Sequence, residues 1–181
     1  FPLIKDNKVW LGATNFNVGM YFFVPKGFVY KDSYKFIREM DGKAVNRVPG
    51  VCWYSNIEHG RRHEPLALMS MADNLRFSKH KELKGKTAYD RYDNYDAIEV
   101  PFTDAIPADY DGVMGVPISF LDKYCPEQFE ILGISLELGT KKPDNLPKEK
   151  QGGPAFYIKM GTDYNRMYCR LAIRRKLTID N

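Results

Sequence analysis

Two short runs carry the side chains best suited to contact with a polyanion. Arg61, Arg62 and His63 follow a strand-like stretch, Val51–Ile57, so they can project from a strand end or loop. Guanidinium groups placed there neutralise phosphates, and arginine can also read guanine with two hydrogen bonds. Lys79, Lys81, Lys84, Lys86 and Arg91 lie among Phe77, Tyr89 and Tyr92. Cations interleaved with aromatic rings are the mix expected of a segment that follows a nucleic-acid backbone or fills a groove. These residues are the candidate contacts to a polyanion such as a nucleic acid. Solvated surface charge is the competing explanation for each of them.

Other chemistries find less to work with. His59 and His63 are four apart, with Cys52 upstream and Glu58 and Glu64 beside them, a spacing that suits zinc on a helix. Gly60 and Pro65 argue against that helix, so exposed polar side chains explain the pair better. Glu82-Leu83-Lys84 supplies half of a metal-dependent nuclease pattern but sits in a loop-like tract. Asp109 and Asp111 flank a turn at Gly112. No Gly-x-Ser-x-Gly or local Cys/His arrangement offers a nucleophile. Methyl transfer to an exocyclic amine needs an Asn/Asp-Pro-Pro-aromatic loop, and the chain has no Pro-Pro pair.

With 181 residues the chain can bury one substantial core, and a single domain over 1–181 is expected. Twelve Tyr and 11 Phe mark a globular composition. No apolar run approaches the roughly 20 residues that cross a bilayer. The three widely spaced cysteines suit a reducing cytoplasm. Net charge is only +4, yet it is unevenly spread. Residues 59–89 carry seven Lys/Arg against three acids, 131–181 carry ten against five, and 90–130 carry two against ten. Such segregation can set a basic face opposite an acidic one. An opening without Met, FPLIKDNK, reads as the tail of a helix and as a piece of a longer protein.

The elements that must position these groups are short. Lys8–Gly12 and Met20–Val24 read as apolar strands. Tyr34–Met40 and Ala44–Val48 flank Asp41-Gly42, a hairpin dipeptide. Trp10, Phe22, Phe23, Trp53, Tyr54 and Phe129 are assigned to core. Residues 72–95 read as a long surface loop and 139–154 as a linker or loop. Ala97–Val100 is a strand stopped by Pro101, Ile118–Tyr124 has helical spacing, and Phe129–Leu138 alternates as a strand. Met167–Lys176 alternates as a half-buried strand with a basic outer face. The fold class is α/β leaning to α+β, with a mixed, mainly antiparallel sheet, few helices and long loops.

Three blocks carry a family resemblance. The strongest is DYDGVMGVPISFLDKYCPEQFEILG at 109–133, supported by CWYSNIEHGRRHE at 52–64 and, more weakly, by the opening FPLIKDNKVWLG. Together they resemble the EcoRI-type adenine-specific DNA methyltransferases, although Cys125 stands where members often have Asn. The resemblance implies a parent enzyme of a restriction-modification system that uses S-adenosylmethionine and acts on double-stranded DNA. Its catalytic and cofactor motifs would lie in a missing N-terminal part, so this chain would be the C-terminal part, completing the methyltransferase core and recognising the target. No catalytic, cofactor or metal residue is then expected here. A non-catalytic DNA-binding module is the alternative, as is a protein-interaction domain that uses the acidic 90–130 segment.

Overall fold

The computed structural model describes residues 1–12, 20–25, 37–48 and 52–176. It is a mixed α/β structure whose strands pair mostly antiparallel. The residues divide into two units, Val9–Asn56 and a larger one made of Phe1–Lys8 with Ile57–Asn181.

In the smaller unit, β1 (Trp10–Leu11) pairs with β5 (Tyr54–Ser55). A separate sheet has the order β2 (Met20–Phe23), β4 (Lys43–Val48), β3 (Ile37–Met40). Asp41 (φ 52°) and Gly42 (φ 69°) both take left-handed backbone between β3 and β4. That is the primed turn whose twist matches two antiparallel strands, as the dipeptide predicts. Pro49-Gly50, Val51 and Tyr34–Phe36 lie outside the described residues. The core assignment is corrected for this unit: Phe22, Phe23, Trp53 and Tyr54 are all exposed, and Trp10 is only half-buried. Strands of two to six residues in sheets of two and three strands offer little area to cover these rings.

The larger unit begins with a helical turn, α1 (Pro2–Lys5). Its core is a four-stranded sheet of order β6 (Ile98–Glu99), β7 (Met114–Pro117), β11 (Arg170–Arg175), β8 (Phe129–Ile134). Only the β6–β7 pair is parallel. β11 occupies an inner position, with Leu171 opposite both Val116 and Ile134. Leu171, Ala172 and Ile173 are consequently all buried, and the half-buried alternation expected for this stretch gives way to an apolar run. Phe120 and Phe129 pack edge to face at 5.3 Å, each burial contributing about 1.5–3 kcal/mol.

Several boundaries differ from expectation. Ile118–Lys123 is 3-10 helix, and the strand begun at Phe129 ends at Ile134, giving way to α3 (Ser135–Leu138). Residues 72–95 are not one loop, because α2 (Met71–Phe77) occupies their start. Ser70 caps it, accepting from Asp73 N at 3.0 Å, while the Ser70 hydroxyl donates to the Asp73 carboxylate. β9 (Tyr157–Met160) and β10 (Asp163–Arg166) form a hairpin through Gly161 (φ 63°). Buried Asn94 ties this hairpin to the 139–154 segment, donating to the carbonyls of Lys141 and Ala155 and accepting from Tyr157 N. Among the described residues no helix is long and apolar enough to cross a membrane.

Candidate nucleic-acid interface

Arg61, Arg62 and His63 sit on a 3-10 turn, Gly60–His63. Arg62 does not project: it is 5% exposed and bonds to Glu58 and to Asn7 Oδ1. Its place on the inner face of the turn makes it a cross-link between the N-terminal helix and the 57–64 segment. Arg61 is exposed but donates to both oxygens of Asp122, at 3.2 and 3.3 Å. His63 stands between two carboxylates, Nδ1 2.8 Å from Glu127 and Nε2 3.0 Å from Glu58. A neutral imidazole has one N–H, so this geometry favours the imidazolium. Glu58 and then Glu127 raise the His63 pKa above its ordinary value, and His63 in turn lowers that of Glu58.

The second run divides in two. Lys86 pairs with Asp90, and Arg91 donates to Asp96 at 2.5 Å. Tyr110 first and Asp96 second hold the Arg91 pKa above its usual value. Lys79, Lys81 and Lys84 are exposed. Among the described residues Lys81 and Lys84 have no acidic partner within 4.0 Å, and Lys79 only just reaches Asp104 at that distance. The segment that carries them is fixed from within. Leu83 is buried, Gly85 (φ 80°) turns the backbone, and His80 stacks on Phe102 at 3.6 Å while bonding Asp104 at 2.9 Å.

The aromatic partners expected in this run are redistributed. Tyr89 is buried and donates to Ala105 O at 2.7 Å, with burial pushing its pKa up to about 12. Tyr92 is buried too, leaving Phe77 as the ring on the surface, 63% exposed, with the Arg76 guanidinium 5.0 Å from its centroid. Arg76 is not among the candidate contacts named from the sequence. Its signal is the i, i+1 neighbourhood of an exposed aromatic at a helix end.

The uneven charge along the sequence is spent mostly inside the molecule. Eight of the ten acids in 90–130 pair with cations or histidines: Asp90, Asp96, Glu99, Asp104, Asp111, Asp122, Glu127 and Glu130. Their partners include Arg61, His63, Arg170, Arg174 and Arg175 from the two basic stretches. Arg76, Lys79, Lys81 and Lys84 form one group of cations that these pairs leave largely uncompensated; others, such as Lys141, Lys142, Lys159 and Arg166, are spread along 141–176.

Beside that segment lies a cleft of about 510 Å³. Its floor includes Glu99 and Arg170, joined by Nη2–Oε1 at 2.7 Å and Nε–Oε1 at 3.0 Å. Tyr92 donates a further hydrogen bond to Glu99, possible because residue 115 is glycine, where any Cβ would collide with the Tyr92 ring. Burial, then Glu99, raises the Tyr92 pKa. Burial works against the Arg170 charge, but hydrogen bonding to Glu99 more than offsets it, leaving the pKa above its usual value. Leu83, Phe102, Met160 and Met167 contribute apolar wall, with Lys81 and Asn165 also lining the space. Neither Glu99 nor Arg170 stands out in the sequence, because they are 71 residues apart. Among the described residues no group of three or more His, Cys, Asp or Glu is placed to hold a metal ion.

Residues 1–176 match the family described as adenine-specific methyltransferase EcoRI. The chain belongs to that family. Among its relatives, the type II methyltransferase M.EcoRI of Escherichia coli is 40% identical over 137 residues, covering 73% of this chain and 37% of that protein. M.MpnI of Mycoplasma pneumoniae is 34% identical over 134 residues, 73% of this chain and 38% of the relative. M.MgeORF184P of Mycoplasma genitalium is 30% identical over 181 residues, 97% of this chain and 52% of the relative. The chain thus spans about half or less of these curated relatives. No solved structure matches it. The block that most resembles the EcoRI methylase family, 109–133, builds β7, the 3-10 helix and β8. It is sheet, 3-10 helix and core, whereas Lys79, Lys81 and Lys84 lie outside that block.

Proposed function

We propose that this chain is the C-terminal, DNA-recognising part of an S-adenosylmethionine-dependent, adenine-specific DNA methyltransferase of a restriction-modification system. In this reading the whole of 1–181 acts as one fragment of a larger cytoplasmic protein, and residues 76–84 lie against the duplex. Family membership supports the enzyme class. The observation that carries the DNA-facing assignment is the group of exposed cations Lys79, Lys81 and Lys84, of which only Lys79 meets a carboxylate, at 4.0 Å, beside exposed Phe77 and Arg76. Lys81 and Lys84 can neutralise phosphates and release their counterions without first breaking an ion pair, and Lys79 gives up only a long one. Arg61, His63, Lys86 and Arg91 must exchange a carboxylate for a phosphate, which makes them secondary contacts. Arg62 acts as a positioning residue.

The residues here do not fit S-adenosylmethionine. Among the described residues the one α-helix that directly follows a strand, α3 after β8, is a single turn, and the helix after β7 is 3-10. Gly133, the glycine before it, has its space taken by Leu138. With no Pro-Pro pair in the chain, cofactor binding and methyl transfer belong to the rest of the protein. That part would supply the methyl donor and the pocket for the adenine amine, while this chain's own cations bind and orient the duplex.

The test is to assay the full-length protein and the present chain side by side with duplex DNA and labelled S-adenosylmethionine. The reading expects N-methyladenine from the full-length protein only, and salt-sensitive duplex binding from both. Methylation of cytosine, or duplex binding by neither, would overturn it.

A further inference from the structure

A cleft opens beside the cationic segment. Its volume, about 510 Å³, lies within the 300–1,000 Å³ typical of small-ligand sites. Its walls are flat and polarizable: the Phe102 ring is held in place by stacking on His80, and Met160 and Met167 supply thioethers. Such surfaces suit the face of an aromatic ring.

The polar groups are specific in kind. Six charged residues line the cleft, and four cancel in pairs, Lys86 with Asp90 and Arg170 with Glu99. Lys81 and Glu82 remain. The Asn165 amide, which offers a donor and an acceptor side by side, has no protein partner among the described residues. Arg170 spends Nε and Nη2 on Glu99, leaving the Nη1 hydrogens. A buried ion pair gains little over apolar groups of the same shape, so its position at the floor of an open cleft calls for a further role. A nucleobase edge uses all of these: carbonyl and ring nitrogen atoms accept from Arg170, and Asn165 matches a donor–acceptor edge.

We propose that this cleft holds one unstacked nucleotide, its base between Phe102 and the two methionines and its phosphate at Lys81. The assignment rests on the DNA-binding reading for its choice of source. Lys81 belongs both to the cleft and to the cationic segment, so a nucleotide of the bound strand is the favoured occupant over a free mononucleotide.

The experiment follows the Met160 and Met167 methyl signals of the full chain by NMR during titration with each of the four deoxynucleoside 5′-monophosphates. Deoxyribose 5-phosphate serves as the control. At least one mononucleotide should shift both signals and bind at least tenfold more tightly than the sugar phosphate. Met160→Trp fills the cleft from a side chain that is 62% exposed, so folding is preserved and an unchanged unfolding midpoint verifies it. This variant should lose mononucleotide binding.

Duplex titrations separate the sources. A strand-borne nucleotide predicts at least fivefold weaker duplex binding by Met160→Trp with an unchanged salt slope. Unchanged duplex affinity with lost mononucleotide binding means a free nucleotide is the ligand. Mononucleotide binding by a chain that binds no duplex would sink the DNA reading and leave the cleft standing. Absence of methyl shifts with all four mononucleotides, or a Met167 shift that persists in Met160→Trp, would overturn the cleft.

Discussion

Replacing Lys79, Lys81 and Lys84 together with alanine separates two accounts of which cations meet the duplex. Each phosphate neutralised adds roughly 0.9 to the slope of log K against log salt, so three contacts amount to about 2.7. Between 50 and 200 mM salt the wild type should then lose roughly 40-fold more affinity than the triple variant. The comparison is a double variant, Arg61→Ala with Arg91→Ala. Both arginines are exposed, but each already faces a carboxylate, Asp122 or Asp96. Its slope should change by less than about 0.9, one contact's worth. Fluorescence anisotropy on a labelled duplex at five salt concentrations gives both slopes, with unfolding midpoints as the control for folding. A larger slope change in the arginine variant than in the lysine variant would refute the reasoning, because cations already paired within the protein would then be the ones that release counterions.

Three further outcomes follow from the same geometry. Arg170→Ala leaves Glu99 buried without its partner and should cost about 3–5 kcal/mol in urea unfolding, against about 1 kcal/mol for Tyr92→Phe; equal costs would contradict the central role of the ion pair. His63 should titrate above 6.5 by NMR and move down toward it in Glu127→Gln. Because the folded pKa is raised, its stabilising contribution is complete below about 6.5 and is lost as pH rises through the folded value; a wild-type titration at or below 6.5 would be inconsistent with the two-carboxylate geometry. Ser70→Ala removes the cap of α2 and should cost about 1 kcal/mol, with duplex binding weakened because that helix ends at Arg76 and Phe77.

What could be read from the sequence was local. Asp41-Gly42 announces its hairpin because left-handed backbone suits that turn, and the strand read over Ala97–Val100 is found as the shorter Ile98–Glu99, ending before Pro101, which cannot continue a ladder. The 109–133 block carries a legible pattern because its apolar positions, among them Met114, Val116, Phe120, Leu121, Phe129 and Ile131, are buried in the core, where side-chain volume is constrained. Contacts between distant segments were not legible. Arg62 looks like its neighbour Arg61, and only the path of Phe1–Lys8 past the Gly60–His63 turn makes one a buried cross-link and the other a surface group. The acidic and basic stretches suggest opposed faces, but folding brings them together as pairs such as Arg170–Glu99 and Arg174–Glu130. Phe22, Phe23 and Trp53 read as core from apolarity alone, which does not say whether a second layer covers them.

Selection of bound duplexes from a randomised pool tests the central claim most directly. A DNA-recognising part of an adenine methyltransferase should enrich one short sequence that contains an adenine, and the Lys79, Lys81 and Lys84 triple variant should bind all sequences more weakly while keeping the same preference. Recovery of unenriched pool, or of an enriched sequence without adenine, would contradict the account.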